Sequence, residues 1–97
     1  MEYNFEWNNE KAKQNYIKHK VFFSETASVF KDPLAITIFD EKHSEDEDRW
    51  LTIGISVNGK CYVISHTFIR ISNKNVIIRI ISARKATKKE QKQYMEK

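Results

Sequence analysis

The amino-acid sequence predicts a single α+β domain, with two N-terminal helices, a mainly antiparallel twisted sheet of four strands, and a C-terminal helix. Helix-forming segments occupy both ends of the chain, and between them runs of β-branched and apolar residues are separated by turn residues. A chain of 97 residues, 40% of them apolar, can form one hydrophobic core and is too short for two. We therefore expect residues 1–97 to form one domain.

The first two predicted elements are helices. The segment from Glu10 to Lys20 consists of good helix formers, and Asn8 or Asn9 can cap its N-terminus. Ser24 can cap a second, short helix that extends through Phe30. Both helices are expected to cover one face of the sheet that follows.

The first predicted strand runs from Leu34 to Phe39, where β-branched and apolar residues dominate. An acidic loop follows it from Asp40 to Asp48, with six carboxylates against one lysine. This loop would repel nucleic acid.

A hairpin is the clearest local signal in the chain. Asn58-Gly59 separates the apolar segments Trp50–Val57 and Lys60–Thr67, and suits a two-residue type I′ turn. Counting back from that turn places His66 opposite Leu51, on the side of the sheet that faces the core. The other side is expected to face solvent or a ligand, and on the first hairpin strand it carries the smaller or more polar residues Trp50, Thr52, Gly54 and Ser56.

The last strand and the last helix follow. Residues Val76 to Ala83 are apolar on both sides apart from Arg79 and Ser82, which predicts a central strand. Thr87 and Glu90 have the spacing of a capping box, which opens a helix through Glu96.

Positive charge is concentrated at the C-terminal end. The formal net charge is +4, and the segment from Arg84 onward carries all of it, with six basic residues against two glutamates. Such a segment can bind phosphates or an acidic partner, although a solvated basic face is an equally good interpretation. The residues proposed for nucleic-acid binding are Lys85, Lys88, Lys89 and Lys92.

The hairpin register suggests one set of catalytic side chains, because it places Arg49 diagonal to His66 on the same face of the sheet. Arg70 could lie close to both. An imidazole can transfer a proton near neutral pH, and a guanidinium can hold a phosphate. The alternative is a half-buried histidine and a salt-bridged arginine with structural roles only, which register alone favours. Cys61 is given no role.

Neither a cofactor nor a metal ion is predicted. Gly54 and Gly59 are the only glycines, so there is no phosphate-binding glycine loop, and no two histidines have the spacing of metal ligands. A metal site would have His43 and the Asp46–Asp48 carboxylates as its ligands. A single cysteine, an acidic N-terminus and the lack of a long apolar segment predict a soluble cytoplasmic protein without membrane contact.

Many short segments, in one order along nearly the whole chain, resemble the BrnT family of toxins. They are Phe5-Glu6-Trp7, Lys11, Asn15, Lys18-His19, Val21-Phe22-Phe23, Glu25-Thr26-Ala27, Phe30, Asp32-Pro33, His43-Ser44-Glu45, Asp48-Arg49, Ile53-Gly54, His66-Thr67, Arg79 through Arg84, Ala86, Glu90 and Tyr94. The resemblance implies a RelE-like fold and a ribonuclease toxin of a type II toxin–antitoxin pair. Lys20 stands where the family usually has a glycine. Arg70 stands two residues after Phe68, where the family often has an arginine directly after an aromatic residue, so Arg70 is left unassigned.

The resemblance also implies site residues, namely Lys18, His19, Arg49, His66, Arg79 and Arg84. On this basis, we expect a metal-independent endoribonuclease that activates a 2′-hydroxyl against the adjacent phosphate. Either His66 or His19 would transfer the proton, and Arg49, Arg79 and Arg84 would stabilise the phosphate charge. The alternative is a non-catalytic module that binds nucleic acid or a protein through its basic end.

The partners implied are RNA and a BrnA-like antitoxin. The antitoxin would cover the polar sheet face and the C-terminal helix with complementary charge. It would also bind operator DNA, so that the toxin contacts DNA only through it, and the expected unit is a 2:2 complex because dimeric repressors match two-fold DNA sites.

Overall fold

The computed structural model describes residues 2–96 and shows an α+β fold built on one sheet. The helices are α1 (Asn9–His19), α2 (Phe23–Thr26) and α3 (Lys88–Met95), and 3₁₀ helices span Ala27–Lys31 and Glu41–His43. The strands are β1 (Glu2–Glu6), β2 (Ile36–Phe39), β3 (Trp50–Ile55), β4 (Cys61–His66), β5 (Ile69–Arg70) and β6 (Asn75–Lys85).

The sheet has six strands in the described residues, where the sequence predicted four. Its main path runs in the order β1-β6-β4-β3-β2, and β5 also pairs with β6. The strand β1 precedes the helices and pairs with β6 in parallel, so the chain does not begin with two helices as predicted. The remaining pairs are antiparallel. The polar N-terminal segment has no clear local signal for a strand. It forms one because it pairs with β6, which is distant along the chain.

The core lies between the sheet and the helical segments that follow β1. Its largest fully buried side chains include Tyr62, Phe23, Ile64, Ile78 and Ile80. Gly54 permits the close approach of the first 3₁₀ helix, since a Cβ there would stand 2.9 Å from Cγ1 of Val29. None of the helices in the described part of the chain has the length and apolar character needed to cross a bilayer.

The first helix agrees closely with the prediction. Asn8 caps it by accepting a hydrogen bond from the Lys11 backbone N–H at 3.0 Å. Lys20 ends it in the left-handed conformation, with φ 59° and ψ 34°. The lysine therefore adopts the backbone conformation that a glycine supplies most easily.

The second helix is shorter than predicted, because α2 ends at Thr26 and a 3₁₀ helix continues to Lys31. Ser24 is inside α2 and does not cap it. The Glu25 side chain instead accepts a hydrogen bond from the backbone N–H of Phe22 at 2.7 Å. The local geometry of this turn thus depends on a glutamate that reaches back to the start of the helix.

The hairpin exists, but its predicted register is wrong by one residue. His66 pairs with Trp50, whereas the prediction paired it with Leu51. The loop is Val57-Asn58-Gly59, because Gly59 donates to the Ser56 carbonyl at 2.9 Å and has φ 81°. Asn58 does not have a positive φ, so the turn is a three-residue type with glycine at its left-handed position.

The register error reverses the predicted faces of β3. Thr52 and Gly54 are buried under the helical segments, although the sequence placed them on the open face. Leu51 and Ile53, which were expected in the core, lie on the other face and line an apolar groove beside α3. A slip of one residue has this effect because side chains alternate along a strand. The face assignment of β4 is correct, since Tyr62, Ile64 and His66 are buried.

The C-terminal helix begins as predicted. The Thr87 side chain accepts from the Glu90 backbone N–H, and the Glu90 carboxylate accepts from the Thr87 backbone N–H. Tyr94 attaches the helix to the rest of the fold, because its hydroxyl donates to Asp32, which also accepts from the Ile55 backbone N–H. This hydrogen bond to Asp32, together with burial, raises the pKa of Tyr94 to about 12.

Candidate active site

Two arginines and one glutamate from separate parts of the chain converge on a single point. The carboxylate oxygen Oε1 of Glu47 accepts a hydrogen bond from the Arg79 guanidinium. The guanidinium of Arg49 is 3.6 Å from the same oxygen. All three side chains are partly exposed, at 31% to 39% of their full accessibility. We call Glu47, Arg49 and Arg79 the arginine–glutamate cluster.

The start of β3, the middle of β6 and a folded loop position this cluster. Arg49 immediately precedes β3, and Arg79 lies within β6. The Ser44 hydroxyl donates to the Asp40 carbonyl at 2.6 Å and accepts from the Arg49 backbone N–H at 3.0 Å. The acidic loop is therefore tied across its base, which holds Glu47 over the arginines.

The Arg49 side chain has an unsatisfied donor. Its Nε atom is buried and has no hydrogen-bond partner among the described residues. A buried N–H without an acceptor is unfavourable by about 1–3 kcal/mol. Native proteins retain few such groups, and functional sites are one place where they occur. An anion bound beside Arg49 could supply the acceptor.

Arg79 also borders a second feature of the surface. A cavity of about 250 Å³ lies on its α1 side, lined by Asn8, Lys11, Arg79, Ile80 and Ile81. Lys11 adds a positive charge next to the cluster. The cluster can thus bind an anion such as a phosphodiester, with a carboxylate beside it that is able to accept a proton.

His66 lies elsewhere, on the buried side of the sheet, with 1% of its surface exposed. Its Nδ1 is 2.9 Å from the Thr67 carbonyl oxygen, so Nδ1 carries the hydrogen. Its Nε2 then accepts from the Thr52 hydroxyl at 2.7 Å, and Thr52 is also bonded to the Thr37 hydroxyl at 2.8 Å. Burial lowers the pKa of His66 and favours the neutral ring.

Several aromatic residues adjoin His66. The Phe30 ring contacts the imidazole edge to face, with 4.8 Å between the ring centroids. A cavity of about 420 Å³ adjoins it, and Trp50 and Phe68 are among its other lining residues. Arg49 precedes Trp50, the strand partner of His66, and therefore lies on the opposite face of the sheet. The predicted grouping of Arg49 with His66 on one face is wrong for this reason.

Lys18, His19 and Arg84 are found at a third location, near the C-terminal end of α1. Burial, followed by the positive charges of Lys18 and Arg84, lowers the pKa of His19. The Arg84 guanidinium binds the Glu90 carboxylate through two nitrogens, at 2.7 Å and 2.9 Å. This hydrogen-bonded pair lowers the pKa of Glu90 to about 2. Arg84 consequently stabilises the start of α3.

The other residues selected from the sequence are on the surface. Lys85, Lys88, Lys89 and Lys92 are exposed at the end of β6 and along α3. Lys92 is 3.8 Å from Glu96, and both side chains are highly exposed. Arg70 is exposed on β5. Burial raises the pKa of the Cys61 thiol, which makes this cysteine a weaker nucleophile.

No group of three or more His, Cys, Asp or Glu side chains with the geometry of a metal site occurs in residues 2–96. His43, which was the first ligand considered for such a site, is bonded through Nδ1 to Asp40 at 2.9 Å. That contact closes the turn between β2 and the second 3₁₀ helix.

Sequence reasoning missed two residues of this region. Glu47 was considered as part of a loop that repels nucleic acid and among the carboxylates of a possible metal site, yet it is the carboxylate that both arginines approach. Its position two residues before Arg49 was the available signal. Lys11 was noted only within the family resemblance, although it lies four residues before the buried Asn15 and thus on the helix flank that meets β6.

Comparison with known proteins identifies the family. The family model for the ribonuclease toxin BrnT of type II toxin–antitoxin systems matches residues 7–90, which include the arginine–glutamate cluster, His66 and the pair between Arg84 and Glu90. No curated protein matches the chain at the required level of significance. Because the match covers most of the chain, this protein belongs to the BrnT family of ribonuclease toxins.

Proposed function

We propose that this protein is an endoribonuclease that cleaves RNA without a metal ion and that a cognate antitoxin neutralises it. Membership of the BrnT family supports the ribonuclease activity and the type II toxin–antitoxin context. The observation that carries the proposal is the arginine–glutamate cluster, where two guanidiniums meet one carboxylate oxygen. The buried Nε of Arg49, which has no hydrogen-bond partner in the described part of the chain, adds a donor to the same place.

The cluster supports cleavage by the 2′-hydroxyl of RNA. Arg49 and Arg79 would bind the non-bridging oxygens of a phosphodiester and stabilise the charge that develops on them. The Glu47 carboxylate, released from the arginines, would accept the proton of the 2′-hydroxyl. The O2′–P bond then forms as the P–O5′ bond breaks. The products are a 2′,3′-cyclic phosphate and a 5′-hydroxyl that takes its proton from water.

The remaining residues predicted from the sequence receive different roles in this proposal. Lys18 and His19 are assigned to the binding of substrate away from the scissile phosphate, and Arg84 to the support of α3 through its pair with Glu90. The exposed lysines of α3 are assigned to long-range attraction of RNA. His66 is assigned a structural role. Both of its ring nitrogens are engaged in buried hydrogen bonds, so it supports Trp50 and Thr52 from the covered side of the sheet.

The partner would be a small BrnA-like antitoxin in a 2:2 complex, with DNA bound only through the antitoxin. The polar residues of β3 that were expected to form its docking surface are covered by the helical segments. The other face of β3 is apolar and forms a groove beside α3. An antitoxin that binds next to α3 would therefore contact this apolar face. Co-purification with the product of the adjacent reading frame and the mass of the complex in solution test this part.

The experiment for cleavage uses purified protein and a 5′-labelled single-stranded RNA of mixed sequence in excess chelator. We expect cleavage with cyclic-phosphate ends, and no cleavage where the RNA has a single 2′-deoxy position at the cut site. Loss of cleavage in chelator contradicts the metal-free mechanism. Binding of RNA without cleavage under any condition supports the non-catalytic alternative.

A further inference from the structure

Positive side chains from α1 and β6 lie along the boundary where these two elements pack together, which we call the seam. Lys11 and Lys18 lie seven residues apart on α1, on the same flank and separated by two helical turns, about 10 Å. Arg79 and Arg84 lie on β6. No ion pair within residues 2–96 involves either lysine, so both charges are available to a ligand.

A buried asparagine fixes the geometry of this seam. The Asn15 side chain donates to the Ala83 carbonyl at 2.8 Å and accepts from the Ala83 backbone N–H at 3.0 Å, as a neighbouring strand would. It also donates to the Val21 carbonyl at 3.0 Å. Asn15 lies between Lys11 and Lys18 on the helix, so the helix segment that carries the two lysines is anchored to β6.

The seam is continuous with the arginine–glutamate cluster. Arg79 is bonded to Glu47 on one side, and on the other it lines the cavity that also contains Lys11. At the far end, His19 lies close enough to Lys18 and Arg84 for their charges to lower its pKa. The charge of Arg84 is balanced by Glu90, so the far end depends mainly on Lys18.

We propose that this seam, formed by Lys11, Lys18, His19 and Arg79, binds the backbone phosphates of a single-stranded RNA segment that leads away from the arginine–glutamate cluster. The inference rests on the proposed function, because it takes the cluster as the position of the scissile phosphate. A row of cations beside a reactive centre matches a polyanion whose charges repeat at regular intervals. An acidic protein segment could match this row only if its carboxylate side chains had the same regular spacing, so we favour RNA as the ligand.

The test measures binding of a labelled octamer of 2′-fluoro-uridine, which lacks the attacking hydroxyl, to the otherwise unmodified protein by fluorescence anisotropy. Affinity is measured between roughly 50 and 200 mM salt, a range over which binding through phosphate contacts weakens strongly. The seam variant is Lys11→Gln/Lys18→Gln. The matched control is Lys13→Gln/Lys31→Gln, which removes the same charge from exposed positions away from the seam.

For two lost phosphate contacts, the slope of log K against log salt should fall by about 1.4, since each contact in a single strand contributes about 0.7. At 0.1 M salt this corresponds to affinity that is weaker by roughly 25-fold. The control should change the slope by far less. A dinucleotide, too short to reach Lys18, should bind the seam variant and the unmodified protein with more similar affinities than the octamer does.

The proposal is overturned if the seam variant and the control lose equal affinity, because the effect is then one of net charge. It is also overturned if the seam variant binds like the unmodified protein. Failure of the proposed function gives a different result, in which the unmodified protein does not cleave RNA but still binds the octamer through the seam. If the unmodified protein cleaves RNA and the seam variant binds the octamer with unchanged affinity, only the proposal about the seam is rejected.

Discussion

His66 and Glu47 lie on opposite sides of the same sheet and differ in how completely their polar atoms are satisfied. His66 is fully buried, and both ring nitrogens have hydrogen-bond partners. Glu47 is partly exposed and approaches two arginines, one of which has a buried donor with no acceptor among residues 2–96. Satisfied buried polar groups stabilise a fold, whereas charged groups that converge at an accessible position can exchange partners with a ligand.

This comparison reverses the expectation from residue type. Histidine is the usual proton-transfer group near neutral pH, and an acidic loop is expected to repel RNA. In this protein the imidazole is enclosed and burial lowers its pKa, and one carboxylate of the acidic loop is paired with arginines. Accessibility and partners therefore decide which group can act on a substrate.

The largest expected effect is on cleavage, in Glu47→Gln. The amide keeps the size of the side chain but cannot accept a proton, so RNA cleavage should fall by roughly 100- to 10,000-fold. Folding should be little affected, because the ion pairs of Glu47 are partly exposed. Initial rates on labelled RNA, with thermal unfolding measured in parallel, check both parts.

The control for this variant is Glu45→Gln, an exposed carboxylate in the same loop. It should cleave RNA at nearly the rate of the unmodified protein. Equal losses in both variants would show that the loop acts through its overall charge, and full activity of Glu47→Gln would exclude Glu47 as the proton acceptor.

The second prediction concerns stability, in His66→Ala. Removal of the ring leaves a cavity next to Phe30 and an unpaired Thr67 carbonyl, so the free energy of unfolding should fall by about 2–4 kcal/mol. Denaturant unfolding measures the loss. The cleavage rate per folded molecule, determined well below the melting temperature, should stay within a few-fold of the original.

The opposite pattern would contradict the comparison. If His66→Ala retains its stability and loses cleavage to the same extent as Glu47→Gln, then His66 takes part in catalysis. His66→Gln provides a second variant that can keep one of the two hydrogen bonds, should the alanine variant fail to fold.

The fold could be predicted where local chemistry determines it. The Asn8 cap, the end of α1 near Lys20 and the Thr87 capping box were all predicted from the sequence and are present. The strand β1 was missed because its stability comes from pairing with β6, more than 70 residues away along the chain. Local sequence does not contain that information.

The candidate site was less predictable than the fold, because one turn determined the faces of β3. Asn58-Gly59 permits a two-residue or a three-residue loop, and the difference moves Arg49 away from His66. The convergence of Arg49 with Arg79 depends in turn on how the acidic loop folds over β6. Residue types and the family resemblance named both arginines as candidates, while their convergence on Glu47 required the three-dimensional structure.

A third, smaller effect is expected at the pair between Arg84 and Glu90. The pKa of Glu90 is about 2 in the folded protein, against 4.5 for an ordinary glutamate. Its contribution to stability is therefore complete above pH 4.5 and is lost as the pH falls toward 2. Because both side chains are partly exposed, we expect about 1 kcal/mol.

The variant Glu90→Gln isolates this charge, since glutamine can still complete the capping box with Thr87. Its free energy of unfolding should be lower at pH 6 and should match that of the unmodified protein near pH 2. Denaturant titrations across this range provide the measurement. A constant difference between the two proteins at all pH values would show that the effect does not come from the ion pair.

The smallest effect is expected for substitutions of the exposed lysines of α3. This prediction distinguishes their contribution to RNA binding from that of the seam lysines on α1. Lys88→Gln/Lys89→Gln/Lys92→Gln removes three charges from a solvated helix face, where one of them already has a carboxylate neighbour in Glu96. Exposed charges act on a ligand over about one Debye length, roughly 10 Å at 0.1 M salt. RNA affinity should therefore fall about twofold at low salt and remain unchanged near 200 mM, as measured with the same octamer. A loss as large as that of Lys11→Gln/Lys18→Gln, persisting at high salt, would show that α3 contacts the RNA directly and that the seam is not its main binding surface.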